Sequence, residues 1–361
     1  MLNTEKDVNI IFQIKGHRFS DSKELEQETK IFEKHRIAVR PNMEPQETEY
    51  FTYMPCIDSD TGVIGWKLIS RYNINKFKSD SMFRGYPVIS LDRTFINYKN
   101  KDIDVTEVDT SNVLSMIDTF CGCKYLRHLD ISNWNTSKVI NMESMFTMSN
   151  IRYINMGGID TSKVQNMQLM FDSCELLEEV NLQGIDTHQV SNMKQMFDGC
   201  RSLKNVDLKS FNTKNVIVMS SMFCRCKSLK EININFDIAS LENADRMFED
   251  CESIIDINLS SFKDSKLIQM PSIFGGCKDV KHIDLRNFKF AKSNSIEKTT
   301  YVLFDTCSKL STVILKDNKL INEIKDCGFK IIKANSINSI DSIISKAKLF
   351  NEKVCIDTTN I

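Results

Sequence analysis

Twelve cysteines are the first residues of this 361-residue chain whose chemistry needs a decision. A thiol can bridge, ligate a metal or attack a substrate, and spacing separates these uses. Cys123, Cys174, Cys200, Cys226, Cys251, Cys277 and Cys307 recur at nearly constant intervals, with Ser149 filling the one gap in the series. Such a column places its side chains parallel, which suits buried apolar packing better than bridging. We therefore expect reduced thiols in a core, and a reducing compartment. Cys121 and Cys224 form Cys-x-Cys pairs with Cys123 and Cys226, but a zinc site needs further ligands at set spacing. The histidines, His17, His35, His128, His188 and His282, are scattered, and neither His-x-His nor Cys-x-x-Cys occurs. No metal ligand and no cofactor is assigned. There is no Gly-x-Ser-x-Gly, P-loop, His-Glu-x-x-His or Gly-x-Gly-x-x-Gly, so no catalytic residue is assigned either, and the expectation is a protein that is not an enzyme.

The cysteines belong to a larger repeat. Phe120, Phe146, Phe171, Phe197, Phe223, Phe248, Phe274 and Phe304 stand three residues before the cysteine column, 25 or 26 residues apart except for a last step of 30. Four residues before each Phe come Met116, Met142, Met167, Met193, Met219, Ala244, Met270 and Thr300. Three locked columns mean a solenoid, because one unit cannot bury its apolar face alone and must share a core with its neighbours. In one unit, Val190, Met193, Met196 and Phe197 fall at the spacing of one helix face, with Thr187 as a candidate N-cap. Val206 and Leu208 then alternate with polar neighbours as in a half-buried strand. The fold expected is an α/β solenoid of about eight units over residues 103–316, with a parallel sheet on one side and short helices on the other. Residues 1–102 are expected to form an N-terminal α+β cap or small domain: strands over 8–14, 50–53 and 63–68, a helix over 22–34, and a turn at 58–62. Residues 317–361 are expected to form a C-terminal α/β cap: helices over 320–325 and 341–349, strands over 330–333 and 353–357.

If Val206 and Leu208 point inward, their neighbours line the outer sheet face. The column through Asp207 reads Asp130, Asn155, Asn181, Asp207, Asn233, Asn258, Asp284 and Ile314. Asp is spaced by Asn, which avoids like charges on adjacent strands. The plain reading is a hydrogen-bonded polar ladder; the functional one is the floor of a binding surface. Flanking columns vary: His128, Tyr153, Glu179, Asn205, Glu231, Asp256, His282 and Thr312 on one side, and Ser132, Gly157, Gln183, Lys209, Asn235, Ser260, Arg286 and Lys316 on the other. The first is acidic in its middle, the second basic toward its end. Candidate binding residues are His128, Asp130, Tyr153, Asn155, Glu179, Asn181, Asn205, Asp207, Lys209, Glu231, Asn233, Asp256, Asn258, His282, Asp284 and Arg286.

A formal net charge of -1 and the absence of a basic run exclude a nucleic-acid footprint. No stretch approaches the ~20 apolar residues of a membrane span, and the start of the chain lacks the unbroken apolar core of a secretory signal. These features lead to a protein partner or a larger assembly, no nucleic acid, no membrane insertion and a cytoplasmic location; a cell surface reached by a non-classical route is the alternative.

The motif Leu-x-x-Leu-Asp-Leu (Leu126–Ile131, Leu203–Leu208, Val280–Leu285), followed by aromatic-Asn-Thr-Ser-x-Val-x-Asn-Met-x-x-Met-Phe (Trp134–Phe146) and the cysteine, resembles the BspA-like leucine-rich repeats. The resemblance covers residues 103–316. It implies a leucine-rich-repeat solenoid associated with adhesion and protein binding, common on bacterial surfaces, although this chain lacks the signal peptide, lipid-attachment cysteine and wall anchor of those members. The functional expectation is a non-enzymatic protein-binding module that uses its sheet face. The alternatives are a structural subunit or spacer docked through the N-terminal region, and an enzyme or effector with its site in residues 1–102.

Overall fold

Backbone groups removed from water must find partners, and in this chain each coil finds them in the coils before and after it. The computed structural model describes residues 37–359 except 40–41, 72–73, 235, 260–261, 263–271, 288–305, 317–320, 322–323, 325–327, 335 and 351. The strand expected over 8–14 and the helix over 22–34 lie outside the described residues, as do Met270, Thr300, Phe304 and most of the helix expected over 320–325.

The chain enters through β1 (Ile37–Val39), β2 (Gln46–Glu47), β3 (Phe51–Asp58), β4 (Ile64–Ser70), β5 (Lys76–Ser79), β6 (Met82–Phe83), β7 (Tyr86–Ser90) and β8 (Asp104–Val108). β3 and β4 form an antiparallel hairpin through Gly62, at φ +69°, where the sequence places strands about a turn. β4 pairs parallel with β7, and β5 pairs parallel with β8. Phe51, Leu68, Phe77 and Phe95 are fully buried and share one core with the repeats.

The repeats supply one short strand each: β9 (His128–Asp130), β10 (Tyr153–Asn155), β11 (Glu179–Asn181), β12 (Asn205–Asp207), β13 (Glu231–Asn233), β14 (Asp256–Asn258), β15 (His282–Asp284) and β16 (Thr312–Leu315). Pairing is parallel and in the aligned register, with His128 opposite Tyr153 and Tyr153 opposite Glu179. The solenoid has about nine turns.

The other side corrects the α/β expectation. Where short helices were expected, the described residues of the repeats run through tight turns. A second parallel ladder joins Ser90, Ser115, Asn141, Asn166, Asn192, Val218 and Asn243. Residues two before and two after each Phe have positive φ: Asp118 and Gly122, Ser144 and Met148, Gln195 and Gly199, Ser221 and Arg225. A left-handed residue breaks a right-handed helix. The left-handed turns aim alternate N–H groups at the next coil instead: Met116 N to Asn141 O at 2.9 Å, Asp118 N to Glu143 O at 3.1 Å, Phe120 N to Met145 O at 2.7 Å and Gly122 N to Thr147 O at 2.9 Å. Thr187 caps no helix. Its hydroxyl donates to Asn212 O in the next coil at 3.0 Å, and Thr110, Thr136, Thr161 and Thr213 do the same in theirs.

Between the two ladders lies a file of fully buried rings. Phe95, Phe120, Phe146, Phe171, Phe197, Phe223, Phe248 and Phe274 stack with centroids 5.0–6.1 Å apart and planes within 11°. Phe95 extends the file one coil ahead of the repeat register. Each column cysteine donates its thiol to the carbonyl of the Phe one coil earlier: Cys123 to Phe95 at 3.2 Å, Cys174 to Phe146 at 3.0 Å, Cys200 to Phe171 at 3.2 Å and Cys226 to Phe197 at 3.1 Å. All eleven described cysteines are buried. Burial pushes the Cys123 and Cys174 thiols up to about 12, so they remain protonated donors.

The last strands, β17 (Lys330–Lys333) and β18 (Val354–Asp357), flank the crossover helix α1 (Ile337–Phe350), and the sheet order is β16-β18-β17. A crossover helix between parallel strands packs on one sheet face. Ile340 and Ala347 of α1 accordingly cluster with Ile314, Val354 and Ile356. This explains Ile314 in a column of Asp and Asn: the outer face there is roofed.

Candidate functional site

Three residues per strand cannot hide both of their faces. The middle residue points inward (Leu129, Ile154, Val206, Ile257), and its two neighbours are left on the outer face. His128, Asp130, Glu179, Asn181, Asn205, Asp207, Lys209, Glu231, Asp256 and Asn258 are exposed there, Tyr153 is 40% exposed, and Asn155 is half-buried. Asn233 occupies the same register on β13, opposite Asp207.

The polar column is tied both along and across the strands. Asn155 donates to Asp130 at 3.0 Å, and Asn181 donates to Asn155 at 2.9 Å. Each acid or amide also accepts from the backbone two residues on: Asp130 from Ser132 N, Asn155 from Gly157 N, Asn181 from Gln183 N, Asp207 from Lys209 N and Asp284 from Arg286 N. These turn bonds end each strand after three residues. A Cβ at Gly157 would stand 2.5 Å from Asn181 Nδ2, so a larger residue there would displace that amide from its bond to Asn155. Partial burial opposes the charge on Asp130, but bonds from Ser132 and Asn155 outweigh it and hold its carboxyl below the usual range. The column is therefore engaged in maintaining the strands, and the free chemistry of the face lies in the columns beside it.

One of those columns begins with aromatic rings. His128 and Tyr153 stack at 5.2 Å with planes 1° apart, and the Tyr153 hydroxyl donates to Glu178, which also pairs with Arg152 at 3.0 Å. Glu179 and Glu231 carry no ion pair among the described residues. A further column, one residue before each strand, was not among the candidates: Arg127, Arg152, Glu178, Lys204, Lys230, Ile255 and Lys281. Its signal was available as charge at a fixed register from Arg127 to Lys281, interrupted there by Ile255, which is 42% exposed.

Toward the C-terminus the face closes. Asp284 is buried, and Arg286 folds onto it with Nε 3.0 Å from Oδ1. His282 retains 17% side-chain exposure, with Asp256 3.9 Å away, and its Nδ1 is buried without a hydrogen-bond partner. Burial, reinforced by Lys348 of α1, lowers its pKa against the opposing pull of Asp256, keeping it neutral. The candidate residues thus divide: those from His128 to Asn258 share an open face, whereas His282 and Arg286 lie within the electrostatic reach of Lys348 and Asp341 of α1, and Asp284 is covered by Arg286.

The outer ladder is also interrupted. β9 to β11 form one sheet, β12 and β13 a second, and β14 onward a third. At the two seams the inner residue preceding the break, Val180 or Ile232, is only half-buried, although its counterparts are buried.

Among the described residues no group of three His, Cys, Asp or Glu is placed to hold a metal ion, and no helix is long and apolar enough to cross a membrane. Searches of curated proteins and of solved structures found no match. A family model described as "Mycoplasma protein of unknown function, DUF285" matches residues 89–200, 148–257 and 176–288 in overlapping succession, as tandem coils require, and together the matches span more than half of the chain. The chain therefore belongs to the DUF285 family of repeat proteins.

Proposed function

We propose that this protein is a non-enzymatic binding module that engages a protein partner on the open outer face of β9–β14. The observation that carries this reading is the contrast between columns. Inward positions repeat almost without variation, whereas the exposed flanking positions offer a different side chain on nearly every strand: His128, Tyr153, Glu179, Asn205, Glu231 and Asp256. Stacking requires sameness inside, and nothing about stacking requires this variety outside. The likeness of the repeat to BspA-like proteins points the same way. Buried free thiols favour a reducing, cytoplasmic setting.

The test is affinity capture from native cells with the full chain as bait, followed by a bait carrying Tyr153→Ala, Glu179→Lys and Lys209→Glu. These residues are exposed, so the fold should survive, as circular dichroism can verify. Loss of one specific partner supports the reading; a partner retained both by the triple variant and by a bait carrying Ile255→Ser would remove the outer face from consideration.

A further inference from the structure

Three features together mark the seam between β13 and β14, one of the two places where the outer ladder is interrupted. The strand ladder is broken there. Ile232 and Ile234 are only partly buried against the core, and Ile255, across the break, is 42% exposed in a column otherwise charged from Arg127 to Lys281. Finally, the seam is the one place in its column where two acids stand on successive strands. Glu231 and Asp256 hold the same repeat position on either side of the break, Asp256 with His282 3.9 Å away on its other side, whereas Glu179 and Glu231 are separated by Asn205. Like charges on adjacent strands oppose pairing, and a cation seated between them would relieve that opposition. Lys230 and Lys281 flank Ile255, but each carries its charge at the end of a flexible four-carbon stem, while the carboxylates sit on short ones.

We propose that this seam is the anchor point of the binding face, and that it takes an extended peptide segment in which an aliphatic side chain is flanked by Lys or Arg. The aliphatic group covers Ile255, and the basic groups bridge Glu231 and Asp256. Anchors of this kind, an apolar contact ringed by charge, concentrate the energy of an interface in few residues. This inference rests on the outer-face reading given above and specifies the partner's chemistry.

Fluorescence anisotropy with the full-length protein and three labelled peptides tests it: alternating Lys-Ile, alternating Lys-Ser and alternating Glu-Ile, nine residues each. The Lys-Ile peptide should bind best, and Ile255→Ser should weaken it about tenfold, the size expected of one lost anchor. Glu231→Lys with Asp256→Lys should shift preference to the Glu-Ile peptide. Equal binding of Lys-Ile and Lys-Ser peptides, or indifference to both sets of substitutions, overturns the proposal. The capture experiment uses Tyr153, Glu179 and Lys209, all away from the seam. Partner loss there combined with peptides that ignore Ile255 refutes the anchor and leaves the face; a partner that ignores both the triple variant and Ile255→Ser refutes the face itself.

Discussion

Replacing Phe197 by Leu would isolate what the file of rings contributes. Phe197 is fully buried, with its ring centroid 5.1 Å from Phe171 and 5.6 Å from Phe223, both nearly parallel. Leu fills most of the space, so the transfer and cavity terms should be about 1 kcal/mol, well below the 3–5 typical of Phe→Ala. Two stacked pairs vanish as well, each worth about 0.5–1.5 kcal/mol beyond area, and the expected cost is therefore about 2–4 kcal/mol. Phe236 is an internal comparison. It is equally buried but stacks on one ring, Phe262, at 6.4 Å. Phe236→Leu should cost about 1 kcal/mol less than Phe197→Leu, the value of one pair. Urea unfolding followed by far-ultraviolet circular dichroism gives both numbers. Hydrogen exchange over residues 189–199 would detect local opening, which matters because long arrays need not unfold in one step. If the two variants cost the same, the rings act as bulk and the stacking argument fails.

Other expectations concern the polar elements. Thiol titration of the native, unreduced protein should find almost no reactive group, and denaturation without reductant should release at least the eleven described cysteines; a denatured count near zero would mean that the column is oxidised. Arg225→Ala should destabilise the protein by about 2–3 kcal/mol, since it removes the charged partner of Asp198, whose side chain is 1% exposed and lies 2.9 Å from Arg225, and leaves it only the bond from Gln195; a cost under 1 kcal/mol by chemical denaturation would show the pair to be dispensable. His282 is held below its ordinary pKa, so the stability tied to its neutral form is complete above about pH 6.5 and is lost as pH falls through the lower folded-state value. The melting temperature should drop on acidification through that window, and less so in His282→Gln; identical pH profiles would exclude this histidine as a contributor.

Much of the architecture was legible because it depends on columns. Met, Phe and Cys at fixed steps require coils that share an interior, and the alternation about Val206 and Leu208 pointed to a strand within Leu203–Leu208, where β12 runs over Asn205–Asp207. The spacing of Val190, Met193, Met196 and Phe197 was misleading. It fits a helix face, but it fits equally a turn-rich segment whose inward residues are divided by left-handed residues at Gln195 and Gly199. The missed signal was glycine: Gly122, Gly199 and Gly276 share one register position, two after the Phe, and each has positive φ. Non-glycine residues such as Leu169 adopt the same conformation at a cost of about 1–2 kcal/mol, which the coil-to-coil hydrogen bonds must offset. On the outer face, Ile314 in the polar column marked the roofed end. The seams were beyond sequence reading, since Val180 and Ile232 are ordinary strand residues whose exposure depends on how neighbouring coils settle.

The uniform way in which coils join has a consequence for ancestry. Ring on ring along the file, and thiol or amide on carbonyl at most coils, one junction offers nearly the same mating surfaces as the next. Losing or duplicating one coil's worth of codons in frame would leave a clean splice, with no orphaned contact. Length in such a lineage can therefore drift by whole units, lengthening or shortening the exposed face without re-inventing the interior.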